Sequence, residues 1–309
     1  MFDSPLSASA YEVLAVAPDA DDDTLRKAYR RRLRQSHPDT GGDAAVFVQV
    51  QRAWELVGTP DARAAYDRGH GFGAAATSFA PDAPLWRPPD RPADTRPRAR
   101  SFGHPGGWRR ERYLTLIREW AGRGVTLEDP YDPALVRTAP REVKRLLADA
   151  LAEEATARIV GDLGMGYTVW HDVAADRHDP EVKLDHIVLG PSGLYAVRSD
   201  DLGGPVRVRR GELIGDSVGG APIAELVRSA RAIARSARVK FSGALIVLPD
   251  DDVPAAIDEL GKVRGLPVAV VARGALATVL RRGVTGARDI GGNELFDVRT
   301  RLQQTVRFV

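Results

Sequence analysis

Between residues 10 and 69 the apolar positions recur at three- and four-residue intervals, the spacing of amphipathic helices. Leu25, Ala28, Tyr29 and Leu33 fall on one stripe of a helix, and Lys27, Arg30, Arg31 and Arg34 fall on the opposite face. Asp21 stands where a helix N-cap belongs, and Asp22 and Asp23 lie in the first turn, where the helix dipole favours negative charge. Arg32 sits at the edge of the apolar stripe and must run its stem along it. Pro38 disfavours helical geometry at His37, so this helix ends near Ser36 and His37-Pro38-Asp39 opens a loop. Phe47, Val50, Trp54 and Val57 then define a third helix, with Gly58 placed to end it. Two antiparallel helices pack their apolar stripes together. That leaves the basic face exposed, with the His-Pro-Asp loop at its end.

The pattern fails over residues 71–112, which are rich in Gly, Pro and Arg and have no hydrophobic period. This stretch reads as a flexible linker in which Trp86 and Trp108 are isolated anchors. From Tyr113 helical spacing returns. One short helix covers "YLTLIREWAG", and a longer one covers "PREVKRLLADALAEEATARIVGDLG", with Pro140 in its first turn and Gly164 at its stop. Strand patterns follow. "YTVWHDV" is one, and "KLDHIVLG" and "LYAVRSD" flank Pro191-Ser192-Gly193 as a hairpin. "PVRVRRGELIG" reads as a second hairpin around Arg210-Gly211. After the helix "PIAELVRSARAIARSARV", the continuous apolar runs "GALIVLP" and "LPVAVVA" mark strands buried on both faces. Two further helices, "ALATVLRR" and "ELFDVRTRLQQTV", close the pattern. The expected organisation is a helical domain over 1–70, a linker over 71–112, and an α/β mixed-sheet domain over 113–309.

Composition narrows the chemistry. The 309 residues include no cysteine, which removes disulfides, cysteine nucleophiles and thiolate zinc sites. No basic stretch followed by an apolar run opens the chain, and the longest apolar runs are of strand length, so a cytoplasmic protein without a membrane partner is expected. Of the 44 basic residues only five are lysine, yet the net charge is +2, too balanced for a large cationic field. Arg228, Arg231, Arg235 and Arg238 do share one helix face. That face keeps nucleic acid as an alternative partner, although no aromatic residue in the helix offers a base-stacking surface.

The N-terminal motifs point to a family. Residues 9–69 resemble the J-domain of DnaJ-type co-chaperones through Tyr11, Leu14, Val16, the Ala28-Tyr29 pair, His37-Pro38-Asp39, Phe47, Ala53, Glu55, Pro60, Arg63, Tyr66 and Asp67. Arg32 departs from the family, which usually has an apolar residue there, and is expected to loosen packing. The resemblance implies a DnaK-type (70-kilodalton heat-shock) chaperone as partner. It would be bound through Lys27, Arg30, Arg31 and Arg34 and through the loop of His37, Pro38 and Asp39, with ATP hydrolysed in the partner. His37 then makes contacts and organises the loop, with no proton-transfer role. Gly69 to Gly73 ("GHGFG") echo the family's Gly/Phe-rich segment, while zero cysteines exclude its zinc region.

The C-terminal half resembles the nuclease-related (NERD) domain, a distant relative of restriction-endonuclease-like enzymes. The likeness rests on the Asp185-His186 strand, the Gly-Pro-Ser-Gly turn at 190–193 and the strand that follows. That fold implies Mg²⁺ held by an aspartate at one strand end and an acid on the next strand, with a lysine nearby. Asp185 fits the first position, but Arg198 occupies the second and Asp200 the lysine position. Glu153 and Glu154 approximate the helix acid. A guanidinium where the cation belongs implies a degenerate site of Asp185, Arg198 and Asp200 closed by an Arg198–Asp185 salt bridge. A site rearranged onto Asp185, Asp200 and Asp201 is the alternative. The expected protein is a co-chaperone with a non-catalytic C-terminal module that recruits an unknown client, using no metal and no cofactor. The competing expectation is a nucleic-acid-processing protein that borrows a chaperone.

Overall fold

The computed structural model describes residue 6 and residues 9–37, 42, 44–70, 97–122, 124–209, 211–215 and 218–309. Pro38, Asp39, residues 71–96 with Gly71–Gly73 of the "GHGFG" segment and Trp86, and Arg210 lie outside the described residues. The chain divides into two compact units, one spanning Ser7–Asp90 with Gly124–Ala139, the other Met1–Leu6, Arg91–Arg123 and Pro140–Val309.

The first unit is helical. Helix α1 (Ala10–Leu14) opens on a capping box, in which Ser9 accepts from the Glu12 amide while the Glu12 carboxylate accepts from the Ser9 amide. Helix α2 (Asp22–Ser36) is capped by Asp21, which accepts from the Thr24 amide at 2.8 Å. Helices α3 (Ala44–Val57) and α4 (Pro60–His70) complete the set. Tyr11, Leu14, Leu25, Val50, Ala53, Val57 and Tyr66 form the core. Tyr29 stacks on Trp54 at 4.4 Å between ring centroids. Arg63 clips the α1–α2 connection to α4 by donating to the carbonyls of Pro18 and Ala20, to Asp22 and to the Tyr11 hydroxyl. Arg32 does not merely loosen this packing. Its Nε donates to the Val13 carbonyl at 3.2 Å, so the guanidinium satisfies a backbone acceptor near the end of α1.

The second unit begins inside the stretch expected to be linker. Strand β1 (Arg100–Phe102) and helix α5 (Gly107–Ala121) both precede or include residue 112, and Trp108 belongs to α5. Helix α6 (Pro133–Thr138), read from sequence as part of the C-terminal domain, instead packs on α4 in the helical unit. Helix α7 (Arg141–Gly161) has Pro140 as its N-cap rather than in its first turn, and it ends three residues before Gly164.

The sheet of this unit has seven strands, in the spatial order Arg100–Phe102, Thr168–Ala174, Lys183–Gly190, Gly193–Ser199, Gly243–Leu248, Leu266–Ala272 and Ile257–Val263. Strand β2 (Thr168–Ala174) pairs parallel to β1 and antiparallel to β3 (Lys183–Gly190). Strand β3 forms the expected hairpin with β4 (Gly193–Ser199), closing on the pair Gly190↔Gly193. Gly193 has φ +135°, and a Cβ there would lie 2.3 Å from the Ser242 hydroxyl, so the turn needs glycine. The second hairpin, β5 (Arg207–Arg209) with β6 (Glu212–Ile214), stands apart as its own ribbon. Helix α8 (Pro222–Ala237) leads to β7 (Gly243–Leu248), which pairs parallel to β4. Strands β8 (Ile257–Val263) and β9 (Leu266–Ala272) form an antiparallel edge pair. Helices α9 (Leu276–Arg282) and α10 (Gly292–Thr305) complete the chain.

Helices sandwich the sheet. Ile223, Leu226, Val227 and Ile233 of α8 and Val298 and Leu302 of α10 pack with Trp170, Leu184, Ile187 and Ile246. Val160 of α7 and Leu276, Val279 and Leu280 of α9 pack with Val169, Val188, Val197 and Val271. Trp170 and Val173 join the same apolar layer although they are an odd number of residues apart, as do Leu184 and Ile187 opposite them. The strand pair changes face around Asp172, whose φ of +51° breaks the two-residue alternation. Among the described residues no helix is long and apolar enough to cross a membrane.

Candidate functional site

In the helical unit, α2 presents Lys27, Arg30, Arg31 and Arg34 on its exposed face, while Leu25 and Ala28 are buried. The helix stops at His37, whose ψ of 127° is extended, as the following proline demands. The His37 imidazole packs edge-on to Phe47 at 5.1 Å, and its carbonyl accepts from the Gly42 amide at 3.0 Å. A Cβ at Gly42 would sit 2.3 Å from the Ser36 carbonyl carbon, so this loop closes only with glycine. The basic face and His37 therefore adjoin, as the sequence implies. Below them, the Tyr11 hydroxyl donates to Asp67 at 2.6 Å and the Ala10 amide donates to the Tyr66 hydroxyl at 2.8 Å, which locks α1 to α4. Burial and then the Asp67 carboxylate push Tyr11 up to about 12.

The second unit gathers ionisable groups from five elements in a buried cluster. Lys183 of β3 places its ammonium 2.8 Å from Glu153 of α7 and 3.0 Å from Asp185, and also binds Asp172. Arg109 of α5 contacts Asp149 at 2.9 Å, Glu153, and Asp185 at 3.7 Å. Asp185 also accepts from the Ser199 amide at 2.8 Å. The expected Arg198–Asp185 bridge does not form. Arg198 turns instead to Asp200 at 2.7 Å and Glu225 of α8 at 2.9 Å, because Lys183 and Arg109 already neutralise Asp185. Of the two approximate helix acids, Glu153 enters the cluster and Glu154 pairs outward with Arg110. Asp201 accepts from the Gly203 amide at 3.0 Å, and burial followed by the Asp201 charge pushes Asp252 up to about 7.

The charges respond to one another. Burial alone would raise Asp185, but the Lys183 ammonium and Arg109 guanidinium hold it below the usual carboxylate range. Burial and then the Asp185 charge push Glu153 well above that range. Burial and the Asp200 charge, against the pull of Arg109, raise Asp149 to about 6. A Mg²⁺ site does not fit this arrangement, since the Lys183 ammonium already fills the space between Glu153, Asp172 and Asp185. Among the described residues, no three His, Cys, Asp or Glu side chains are arranged to hold a metal ion. Beside the cluster, Nδ1 of His171 and Nδ1 of His186 face each other at 2.7 Å, and His171 Nε2 lies 2.8 Å from the Ser101 hydroxyl.

Sequence reasoning found Asp185, Arg198 and Asp200 but missed Arg109, Lys183, Asp172, Asp149 and the histidine pair. Lys183 and Asp185 stand two apart on one strand, a visible signal. Arg109 lay within a stretch whose composition reads as linker.

Residues 9–67 match the DnaJ domain family. Over 71 residues the chain is 41% identical to the "Chaperone protein DnaJ" of Gloeothece citriformis and 44% identical to that of Prochlorococcus marinus. Each match covers 22% of this chain and 18% of the relative. A "DnaJ protein homolog" of Cucumis sativus is 41% identical over 58 residues, covering 19% of this chain and 14% of that protein. The chain thus spans less than a fifth of the length of these curated relatives. Its N-terminal unit carries a J-domain, and the mixed-sheet domain of seven strands lies outside the matches.

Proposed function

We propose that this protein is a cytoplasmic co-chaperone that binds a DnaK-type chaperone through its J-domain and stimulates the partner's ATPase. The observation that carries this reading is the juxtaposition of the exposed Lys27, Arg30, Arg31 and Arg34 face with His37 at the end of the same helix, inside a J-domain. The cationic face meets an acidic surface on the chaperone, and the loop of His37, Pro38 and Asp39 delivers the trigger. The chemistry occurs in the partner. In single-turnover measurements with a DnaK-type chaperone, His37→Gln is expected to leave the fold intact and abolish stimulation. Stimulation equal to wild type overturns the mechanism.

The C-terminal domain, on this reading, is a restriction-endonuclease-like, nuclease-related fold that has lost cleavage and serves to recruit a client. Support comes from the meeting of Glu153, Asp185 and β4 at one place, with the Arg198 guanidinium where a second carboxylate ligand belongs. The protein is expected to cleave neither DNA nor RNA with Mg²⁺ or Mn²⁺ and to gain no thermal stability from either ion, since a ligand of the native state must stabilise it. Cleavage that needs the metal and disappears in Asp185→Ala moves the protein into the enzyme class.

A further inference from the structure

The sheet of the second unit ends on an open edge. Strand β1 pairs with β2 on one side only, and Arg100, Ser101 and Phe102 are all exposed. The Arg100 amide donates inward to the Tyr167 carbonyl at 3.1 Å, so the alternation of the ladder turns the Ser101 amide and carbonyl to the open side. Beyond Phe102 the edge of β2 is closed by residues 307–309, where the Ala174 amide donates to the Arg307 carbonyl and the Val309 amide to that of Asp172. A row of aromatic rings follows the edge. Phe102, 36% exposed, stacks on Trp170 at 6.1 Å. Phe308, 46% exposed, stands opposite Val173, and a Cβ at Gly103 would lie 2.8 Å from its ring. Phe296 of α10, 63% exposed, carries the Arg299 guanidinium over its face at 5.4 Å, and Arg299 Nε donates to the hydroxyl of Thr168, the residue beside Arg100. From Thr168 to Val173 the row covers about 17 Å at the rise of a strand, room for a short extended segment.

We propose that this edge docks an extended polypeptide segment with one acidic and two apolar side chains at alternate positions, which adds beside β1, lays the apolar pair along the phenylalanines and sets its carboxylate against Arg100 and Arg299. The segment's role as a client rests on the reading of the C-terminal domain as a recruiter. Charge selects this occupant. Burial and then the Arg100 charge lower Arg299, so the two guanidinium groups oppose each other, and among the described residues neither has a carboxylate partner. Arg98, two residues before Arg100, is already paired with Asp162 at 3.5 Å. A second copy brought edge to edge would set Arg100 and Arg299 against their own equivalents, whereas an acidic segment supplies the absent counter-charge. Single exposed apolar residues need no explanation, but three rings in one row beside unpaired backbone groups offer both parts of strand addition. Main-chain bonds hold the segment, and alternate side chains fix its register.

Fluorescence anisotropy of a labelled Gly-Glu-Thr-Val-Thr-Leu-Thr-Gly amide peptide against the full chain tests the edge. Saturable one-to-one binding is expected, weakened roughly fivefold or more by lysine in place of the peptide's glutamate, by N-methylation of its central amides, and by Phe296→Ser with Phe308→Ser in the protein. The two peptide comparisons need no variant, so they decide the matter even if the double substitution disturbs folding. Absence of saturable binding, or equal binding of the lysine or N-methylated peptide, overturns the proposal. So does displacement of the peptide by a single-stranded oligonucleotide, or a dimer in sedimentation equilibrium that Phe102→Ser dissociates. Suppression of the aggregation of an unfolded protein by the full chain is followed in parallel. Suppression without peptide binding removes this edge and leaves client recruitment standing, whereas peptide binding without suppression keeps the edge and removes the client role.

Discussion

Lys183→Met removes the ammonium from the centre of the buried cluster while keeping most of the side-chain volume. The ammonium is 2% exposed and binds Glu153, Asp172 and Asp185, so its loss leaves five buried carboxylates facing only Arg109 and Arg198. Removing one member of a buried ion pair costs about 3–5 kcal/mol. For a domain of this size that lowers the melting temperature by roughly 6–20 °C. The effect carries a pH signature. In the wild type, Asp185 is held below its unfolded value, so its stabilisation is present above the unfolded pKa and is lost as pH falls through the folded one. Without Lys183 the buried carboxylates rise instead, and protonation then favours the folded variant. The deficit should be largest near pH 7.5 and shrink toward pH 5. Differential scanning calorimetry follows the C-terminal transition, and stimulation of a DnaK-type ATPase reports on the J-domain, which should be unaffected. A loss under about 2 °C, or a deficit that does not change with pH, refutes the assignment of Lys183 as the cluster's central cation.

Reversing Arg30, Arg31 and Arg34 to Glu should weaken chaperone binding, and wild-type affinity should fall as salt rises, because exposed charges are screened beyond about 8–10 Å near physiological ionic strength; an affinity independent of salt points to an apolar interface. Burial pushes His171 down to about 4, so the unfolded chain binds protons at a higher pH than the folded domain does. That contribution to stability is intact above about pH 6.5 and declines as pH falls toward 4, by about 2 kcal/mol at pH 5. Urea midpoints at pH 7 and pH 5 should differ less in His171→Gln than in wild type, and equal differences would count against the histidine pair as a titrating element.

The parts of this fold that could be read from sequence are those whose local chemistry decides their conformation. The β3–β4 hairpin carries its own turn, α2 carries its cap and a proline stop, and β7 and β9 are unbroken apolar runs. Strand β8 escaped because it is an edge strand bearing Asp258, Glu259 and Lys262, and its pairing with β9 rather than its composition makes it a strand. Strand β1 escaped because three residues cannot show a period. The triplet His37-Pro38-Asp39 stands out in sequence because its residues are consecutive, and of the three only His37 lies among the described residues. Only part of the charge cluster was legible, because Arg109, Asp149, Lys183 and Arg198 come from α5, α7, β3 and β4, and no local pattern records which cation will face which acid. The same gap explains why Arg198 was expected on Asp185 when its partners are Asp200 and Glu225.

The left-handed backbone at Asp172 also bears on how the sheet avoids assembling wrongly. Strands β2 and β3 are apolar over most of their length, and such strands can slide past one another with little penalty until the hairpin and helices lock them. Here the slide is checked from within. A shift of one residue would turn the Lys183 ammonium toward the layer that holds Leu184, Ile187 and Trp170, far from Glu153, and would separate His171 from His186. An ammonium stranded among those side chains is several kilocalories per mole worse than a misplaced leucine. Mispaired intermediates are thereby priced out of the folding landscape, and the ion cluster doubles as a proofreading device for strand alignment.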